Sequence, residues 1–282
     1  MTTKISRVAN LALQVFSQHS NRASSVSGGA ISQSSLPKDK LNQLLLQLNK
    51  IDGRDVGFDI SWINSTAKTD GSNASAPVLY VHIMENEIFS LGIFVLRPGS
   101  RIPLHDHPNM FGLVKVIYGN IRCRSFTRVF GNKPMSSFTP LLPRLHEWQI
   151  NDLIATTPHQ DTVIEAKSEA ILLSPSEGNF HELFTVGNEG AAFVDILAPP
   201  YDYCLGQREC HFYQEISIPR GISPQNGYQN RNQASSPVDN HNSNFDGAKG
   251  DERSQQYVFL IETHQPKDYW CDTAEYRGPK VL

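Results

Sequence analysis

Gly99-Ser-Arg-Ile-Pro-Leu-His105-Asp-His107 says more about the fold and chemistry of this chain than any other stretch of its sequence. Two histidines separated by one residue face the same side only if the segment is extended, because side chains alternate along a strand. The neighbouring runs 88–96 and 111–118 are apolar and β-branched, and turn residues bound them. The pattern therefore predicts two imidazoles aimed at one point, and imidazole is a ligand suited to Zn, Cu, Fe and Ni.

A second segment, Pro175-Ser-Glu-Gly178-Asn-Phe-His181, offers a third histidine from a different strand. The spacing Gly-x5-His-x-His, with Gly119 following, resembles the first motif of the cupin superfamily, and Gly178-x2-His181 resembles the second. Most cupins carry a glutamate four or five residues after the second histidine, where this chain has Phe111 and Gly112. The resemblance therefore implies a neutral site of three histidines, His105, His107 and His181, that leaves further metal positions open.

Within the cupins, a site of three histidines is typical of thiol dioxygenases. The chain resembles the cysteamine (2-aminoethanethiol) dioxygenase family, which includes the plant cysteine oxidases that act on N-terminal cysteine. The resemblance covers the chain from residue 78 to the C-terminus, apart from one insertion. The matching segments are Pro103-Leu-His-Asp-His-Pro-Asn-Met-Phe-Gly112, Asn179-Phe-His181, Val194-Asp-Ile-Leu-Ala-Pro-Pro-Tyr-Asp202, Asp268-Tyr-Trp-Cys271 and Gly278-Pro-Lys-Val281.

This resemblance implies a non-heme Fe(II) cofactor and the addition of both atoms of O2 to a thiol. The substrate would be cysteamine, giving hypotaurine, or the N-terminal cysteine of a peptide or protein, giving cysteine sulfinic acid. Three neutral imidazoles would leave the iron its full positive charge, which favours a bound thiolate. If the oxygen affinity is weak, the protein would act as an oxygen sensor that marks N-terminal cysteines for degradation when oxygen is present and ceases to do so in hypoxia.

The resemblance also carries Asp195 and Tyr201 to positions near the iron. A carboxylate there could orient a ligand imidazole or bind the amine of the substrate, and a phenol could donate a hydrogen bond to bound oxygen. The alternatives are a buried structural acceptor for Asp195 and a core aromatic for Tyr201. Strand alternation predicts that Asp106 and Glu182, each adjacent to a histidine, face away from the metal.

One departure from the family pattern concerns a covalent crosslink between a cysteine and a tyrosine side chain. Some relatives have Cys-x-Tyr near the site and form a thioether between the two side chains. This chain reads Cys210-His211-Phe212-Tyr213, and the ring of Phe212 lacks the hydroxyl that such a reaction needs. Tyr213 lies one residue further and should face the opposite side of the strand. We therefore expect no crosslink from Cys210 to Phe212.

The amino-acid composition limits the size of the domain, the kinds of partner and the cellular location that we expect. A chain of 282 residues with 39% hydrophobic residues can form one large domain with appendages. A net charge of −3 gives no basic field for nucleic acid, and no apolar run is long enough to span a membrane. The four cysteines form no Cys-x2-Cys pair and there is no apolar secretory segment, which favours reduced thiols in an intracellular protein. We also expect a monomer. We expect a cytoplasmic location that extends to the nucleus, with a mitochondrial one left open.

The N-terminal segment 1–35 has no acidic residue and is rich in serine, which resembles a mitochondrial transit peptide. The favoured alternative is an amphipathic helix that packs on the barrel, with a stripe of Ile5, Val8, Ala12 and Val15. In segment 36–77, Pro37 begins a second helix, which Asp52-Gly53 ends, and 65–76 is a polar loop. The apolar stripe of that helix is Leu41, Leu44, Leu45 and Leu48.

Residues 78–282 form the predicted cupin thiol dioxygenase domain. Its strands are predicted at 78–84, 88–96, 111–118, 121–129, 161–166, 170–174, 181–186, 191–197, 210–216 and 257–262. Many short strands separated by turns indicate an all-β protein, here a cupin double-stranded β-helix (a jelly-roll-like barrel) with N-terminal helices. The polar segment 219–255 reads as a flexible insertion.

Two other classes of protein fit part of the pattern. A zinc-dependent hydrolase or isomerase of the cupin fold would also use three histidines, with the zinc ion activating a water molecule. A non-catalytic cupin binding module would keep the fold without the reaction, although such a module has no physical need for three converging imidazoles.

Overall fold

Apolar stripes at helical spacing bury the N-terminal helices against a sheet. In the computed structural model, which describes residues 2–23, 36–64, 75–130, 150, 152–202, 204, 206, 208–216 and 257–281, the helices are α1 (Lys4–Ala23), α2 (Lys38–Leu48) and α3 (Ser61–Asn64), with a 3-10 helix at Gly53–Val56. The four stripe residues of α1 are fully buried in one cluster with α2 and the sheet, as the favoured alternative predicts. No helix in the described part of the chain is long and apolar enough to cross a membrane.

The second helix ends earlier than predicted. It stops at Leu48, and the side chain of Asp52 instead caps the 3-10 helix by accepting hydrogen bonds from the backbone N–H groups of Arg54 and Asp55. The carboxylate of Asp55 accepts in return from the N–H of Asp52, which completes a capping box. The prediction was wrong here because an Asp-Gly pair can begin a helical turn as well as end one.

The remaining described residues form thirteen strands. They are β1 (Val78–Glu85), β2 (Ser90–Leu96), β3 (Arg101–His105), β4 (Phe111–Tyr118), β5 (Asn120–Arg128), β6 (Ile154–Pro158), β7 (Thr162–Glu165), β8 (Ile171–Leu173), β9 (Phe180–Thr185), β10 (Ala191–Ala198), β11 (Phe212–Ile216), β12 (Val258–Thr263) and β13 (Cys271–Ala274). All ten predicted strands are present with small shifts at their ends, whereas three observed strands, β3, β6 and β13, are outside the predicted ranges.

The strands form two sheets. The helix-covered sheet has the order β13-β1-β2-β10-β4-β8, and the histidine-bearing sheet has the order β6-β12-β11-β3-β9-β5-β7. Strand β6 also pairs with β5, which closes six strands of the histidine-bearing sheet into a ring. Apolar side chains of both sheets meet in a shared core that includes Val114, Phe193 and Leu183. This arrangement confirms the all-β double-stranded fold that the sequence predicts.

Strand β10 is buried along its whole length, because the N-terminal helices cover one face of its sheet and the second sheet covers the other. A strand with two buried faces reads as a continuous apolar run, and in β10 the single interruption is Asp195. The division of the chain at residues 35 and 77 stays a prediction. The predicted flexible insertion, 219–255, lies outside the described residues, as do residues 65–74 of the predicted loop.

The outer face of the histidine-bearing sheet is held by ion pairs around Glu182 on β9. Its buried carboxylate lies 2.6 Å from Nη1 of Arg101 on β3 and 3.4 Å from Nη1 of Arg124 on β5. The prediction that Glu182 faces away from the histidines is therefore confirmed.

We expect Glu182→Gln to lower the free energy of unfolding by about 1–3 kcal/mol, because two guanidinium groups would lose their shared counter-charge. Urea unfolding monitored by circular dichroism measures this loss. Glu169→Gln is the matched control, since Glu169 is exposed and has no ion pair among the described residues. Equal stability of the two variants would show that the ion pairs contribute nothing.

Candidate metal centre

Three histidines converge between the two sheets. His105 is the last residue of β3 and lies directly opposite His181 of β9 in the antiparallel register, and His107 follows two residues after His105. All three are buried, at 3–6% exposure, and their candidate ligand atoms lie within 4.8 Å of one another. The structure thus brings together the three histidines that the sequence singled out.

Hydrogen bonds orient two of the rings. Nδ1 of His105 lies 2.8 Å from the carbonyl oxygen of Pro103, so Nδ1–H donates and the lone pair of Nε2 stays free. The hydroxyl of Tyr201 donates to the carbonyl oxygen of Asp106 at 2.8 Å, and its oxygen lies 2.8 Å from Nδ1 of His107. The hydroxyl oxygen therefore accepts from Nδ1–H of His107, which leaves the Nε2 lone pair of that ring free as well.

The protonation of the rings also suits metal binding. Burial lowers the pKa of His105 to about 4, and burial together with the neighbouring rings lowers the pKa of His107 and His181 well below the usual value. Neutral imidazoles are the form that binds metal ions. At neutral pH the three rings therefore present lone pairs without a competing proton.

The spacing of the nitrogens fits a shared cation better than a hydrogen bond. Nε2 of His107 lies 3.4 Å from Nε2 of His181, which is long for an N–H···N contact. Two nitrogens each bound at about 2.1 Å to one metal ion are separated by about 3.0 Å at a right angle and about 3.4 Å at a tetrahedral angle. In addition, Nδ1 of His181 is buried without a hydrogen-bond partner among the described residues.

Residues outside the ligand set fix the turn between His105 and His107. The side chain of Asp106 points away from the metal centre, as predicted, and accepts from the backbone N–H of His211 and the hydroxyl of Tyr213, each at 3.0 Å. Asn179 holds the backbone of His107 from both sides, accepting from its N–H at 3.1 Å and donating to its carbonyl at 2.8 Å. Asn179 was not predicted, although its place two residues before His181 was a usable signal.

The histidines form one end of a cavity of about 710 Å³ between the sheets. Asp195 of β10 lines the same cavity, and its carboxylate has no hydrogen bond to any described residue. Burial alone raises the pKa of Asp195 to about 7. Tyr201, Cys210 and Phe212 also line the cavity, so both predicted auxiliary residues line the same cavity as the three histidines.

Sequence reasoning missed much of the cavity wall. Tyr80 of β1 lies over Gly92 of β2, where an added Cβ would come within 2.4 Å of the tyrosine ring. Burial and nearby carboxylates, Asp195 foremost among them, raise the pKa of Tyr80. Trp270 and Cys271, from a segment quoted for its resemblance but given no role, form part of the rim.

Comparison with known proteins agrees with this geometry. The family model described as PCO_ADO matches residues 47–281. The chain belongs to the PCO_ADO family. It is 36% identical to the 2-aminoethanethiol dioxygenase of Mus musculus over 73% of this chain and 72% of that protein. It is 28% identical to plant cysteine oxidase 1 of Arabidopsis thaliana, over 86% of this chain and 72% of that protein.

A solved structure, the cupin domain of Cnp3 from Schizosaccharomyces pombe, matches 47% of this chain and 72% of its own at 10% identity, with a TM-score of 0.30. That likeness is too weak to carry an argument about the site. Membership of the PCO_ADO family rests on the sequence match, and it confirms the resemblance found in the sequence.

In this PCO_ADO protein, Cys210 and Phe212 face the cavity together, whereas Tyr213 packs on Phe180 on the other side of the strand. The hydroxyl of Tyr213 is engaged by Asp106. The position of Tyr213 confirms that it faces away from Cys210. The absence of a thioether between Cys210 and Phe212 stays a prediction.

Tyr201→Phe removes the oxygen that fixes the ring of His107. We expect a loss of about 10- to 100-fold in metal affinity or turnover, since partners of ligand imidazoles contribute on that scale. Chelator competition measures the affinity. Tyr276→Phe is the control, because the Tyr276 hydroxyl binds only the carbonyl of Pro279 among the described residues. Wild-type affinity and turnover in Tyr201→Phe would show that this hydroxyl does not position the ligand.

Asp195 should weaken the fold at alkaline pH. Because its pKa of about 7 lies above the value near 3.8 of an unfolded chain, the folded state holds a proton that the unfolded state releases, and stability falls as the pH rises from about 4 to 7. We expect Asp195→Asn to stabilise the protein by about 4 kcal/mol at pH 8 and by less than half of that at pH 5. Urea unfolding at both pH values, at equal metal loading and beside Asp152→Asn, tests this. A gain that does not change with pH would contradict it.

Proposed function

We propose that His105, His107 and His181 bind one Fe(II) ion and that the protein is a thiol dioxygenase, which adds both atoms of O2 to one sulfur atom. The proposed substrates are cysteamine, giving hypotaurine, and N-terminal cysteine, giving cysteine sulfinic acid. The observation that carries this proposal is a buried cluster of three neutral imidazoles, without a carboxylate ligand, in a member of the PCO_ADO family. The names of the relatives, 2-aminoethanethiol dioxygenase and plant cysteine oxidase, support both substrates.

When bound, Fe(II) would supply the centre at which a thiol sulfur and dioxygen are brought together and react. The three imidazoles hold it without adding negative charge, so the site keeps a preference for an anionic thiolate. Their hydrogen bonds to Pro103 and Tyr201 fix two rings before the metal binds, which reduces the cost of ordering the ligands.

Asp195 is the residue proposed to bind the amine that lies beside the thiol in both substrates. Its carboxylate faces the cavity and, within the part of the chain that the structure describes, it has no hydrogen-bond partner and shares the cavity lining with no lysine or arginine. Because its pKa is about 7, the carboxylate becomes ionised as the pH rises through neutrality. The interaction with an ammonium group should strengthen over the same interval.

Tyr201 is proposed to act through His107, since its hydroxyl bridges that ring and the carbonyl of Asp106. The sequence-based alternative, a hydrogen bond from the phenol to bound oxygen, needs the hydroxyl to give up one of these contacts. We further propose that the protein is a cytoplasmic or nuclear monomer, and that a weak oxygen affinity would make it a sensor for degradation signals at N-terminal cysteines.

The decisive experiment is incubation of the Fe(II)-loaded protein with cysteamine, and separately with a peptide that begins with cysteine, under ¹⁸O₂. We expect mass spectrometry to show two labelled oxygen atoms in the sulfinic acid that forms from the thiol. If the protein consumes no oxygen with cysteamine and none with the peptide, and iron is confirmed in the protein, a zinc hydrolase, a zinc isomerase or a binding module would be favoured instead.

His181→Ala should lose both iron and turnover, because only two imidazoles would remain at the centre. His82→Ala is the matched control, since His82 is an exposed histidine on β1 outside the cluster. Iron content by plasma emission spectroscopy and oxygen consumption are the two readouts. Full iron binding and full activity in His181→Ala would refute the assignment of the ligands.

A further inference from the structure

An irregularity in β1 changes which of its side chains face the cavity. Tyr80 pairs with Phe94 of β2, and Glu85 pairs with Ser90, but the register shifts between His82 and Met84. In a regular strand, residues five apart face opposite sides, because the side-chain period is two. The bulge adds one residue on β1, so Tyr80 and Glu85 both line the cavity.

Glu85 lies at the exposed end of this cavity, whereas the histidines and Asp195 lie at its buried end. Among the described residues, Glu85 forms no ion pair and no side-chain hydrogen bond. Among the described residues that line the cavity, Glu85 and Asp195 are the two carboxylic acids, and none is a lysine or arginine that would balance them. A cavity with walls of one charge sign concentrates that field and attracts cations.

The sheet register sets the distance between the two carboxylates. Asp195 pairs with Gly92, and Glu85 pairs with Ser90, which in turn pairs with Leu197. Glu85 is thus two strands across and two residues along from Asp195, a separation of about 12 Å between Cα atoms. Cysteamine bound through its amine to Asp195 is too short to reach Glu85.

A peptide that begins with cysteine is long enough to contact both Asp195 and Glu85. Cavities of about 300–1,000 Å³ hold ligands of drug size, and this one, at about 710 Å³, lies within that range. In an extended peptide, the Cα atom of the third residue lies about 7 Å from that of the first. A lysine or arginine side chain at the second or third position can span the remaining distance to a carboxylate at the rim.

We propose that Glu85 binds a lysine or arginine side chain at the second or third position of a substrate that begins with cysteine, and thereby selects basic N-terminal sequences. This inference rests on the proposed dioxygenase function and specifies its substrate. Asp195 would bind the N-terminal amine, the sulfur would lie at the histidine cluster, and Glu85 would read the residues that follow.

Three peptides that differ only at positions two and three, with Lys-Lys, Gln-Gln or Glu-Glu after the cysteine, test this proposal. We expect kcat/KM of the iron-loaded protein to fall in that order, with a ratio of about 5 to 20 between the first and last peptides at low salt. The ratio should shrink at 0.5 M salt, since screening weakens exposed charge pairs.

Variants of Glu85 test whether this residue causes the difference in kcat/KM between the peptides. Glu85→Gln should reduce the ratio between the Lys-Lys and Glu-Glu peptides, and Glu85→Lys should invert it. Glu87→Gln is the matched control, because Glu87 is an exposed carboxylate two residues further along the chain that does not line the cavity. It should leave the ratio unchanged. A wild-type ratio in both Glu85 variants would overturn the assignment to Glu85.

The outcomes also separate this inference from the proposed function. Equal oxidation of all three peptides would overturn the charge selection and leave the dioxygenase function intact. Oxidation of cysteamine with no peptide oxidised would also overturn it. If the iron-loaded protein oxidises neither cysteamine nor any peptide, the proposed function fails and the inference fails with it.

Discussion

The antiparallel pairing of β3 with β9 is the constraint on which the metal centre depends. It places His105 directly opposite His181, and the turn after β3 brings His107 to the same point. His107 lies in that turn, where Asn179 holds its backbone and Tyr201 fixes its ring. Glu182 on the outer face of β9, held by Arg101 and Arg124, ties the same two strands to β5. The backbone pairing of β3 with β9 therefore positions both the ion pairs on the outer face of the sheet and the histidines on its inner face.

The titratable groups that line the cavity differ between its buried end and its exposed end. The buried end holds neutral rings whose pKa values are lowered by burial, and one carboxylate whose pKa burial raises. A metal ion and an ammonium group are the charges that such a pair of environments would stabilise. The exposed end carries another carboxylate, Glu85, so two acidic side chains line the cavity between the rim and its buried end. The arrangement would guide a cationic substrate inward with its amine leading.

Local patterns in the sequence predicted the parts of the fold that are set locally. The period-two spacing of His105 and His107, the apolar run of β10 and the stripe of α1 depend on neighbouring residues, and each is present. Strand β13 was missed because Cys271–Ala274 is short and half polar, and its pairing with β1 depends on contacts from distant parts of the chain. The bulge in β1 could not be predicted either, since its extra residue is defined only against the register of β2. Asn179 was quoted for its resemblance but given no role, because it holds the backbone of a residue far away in the chain.

The burial of β10 on both faces links two regions that share no chemistry. Val194 and Ile196 point into the cluster formed with the N-terminal helices, while Asp195 between them points into the cavity. Because β10 is packed on the face opposite Asp195, this side chain has little freedom to move toward water when its carboxyl group ionises. None of the described cavity-lining residues belongs to the helices, which instead pack against the opposite face of the strand that carries Asp195. Changes of side-chain volume in α1 and α2 would then be transmitted through one layer of backbone to the position of a single carboxylate, so the helices offer a remote means of tuning substrate affinity.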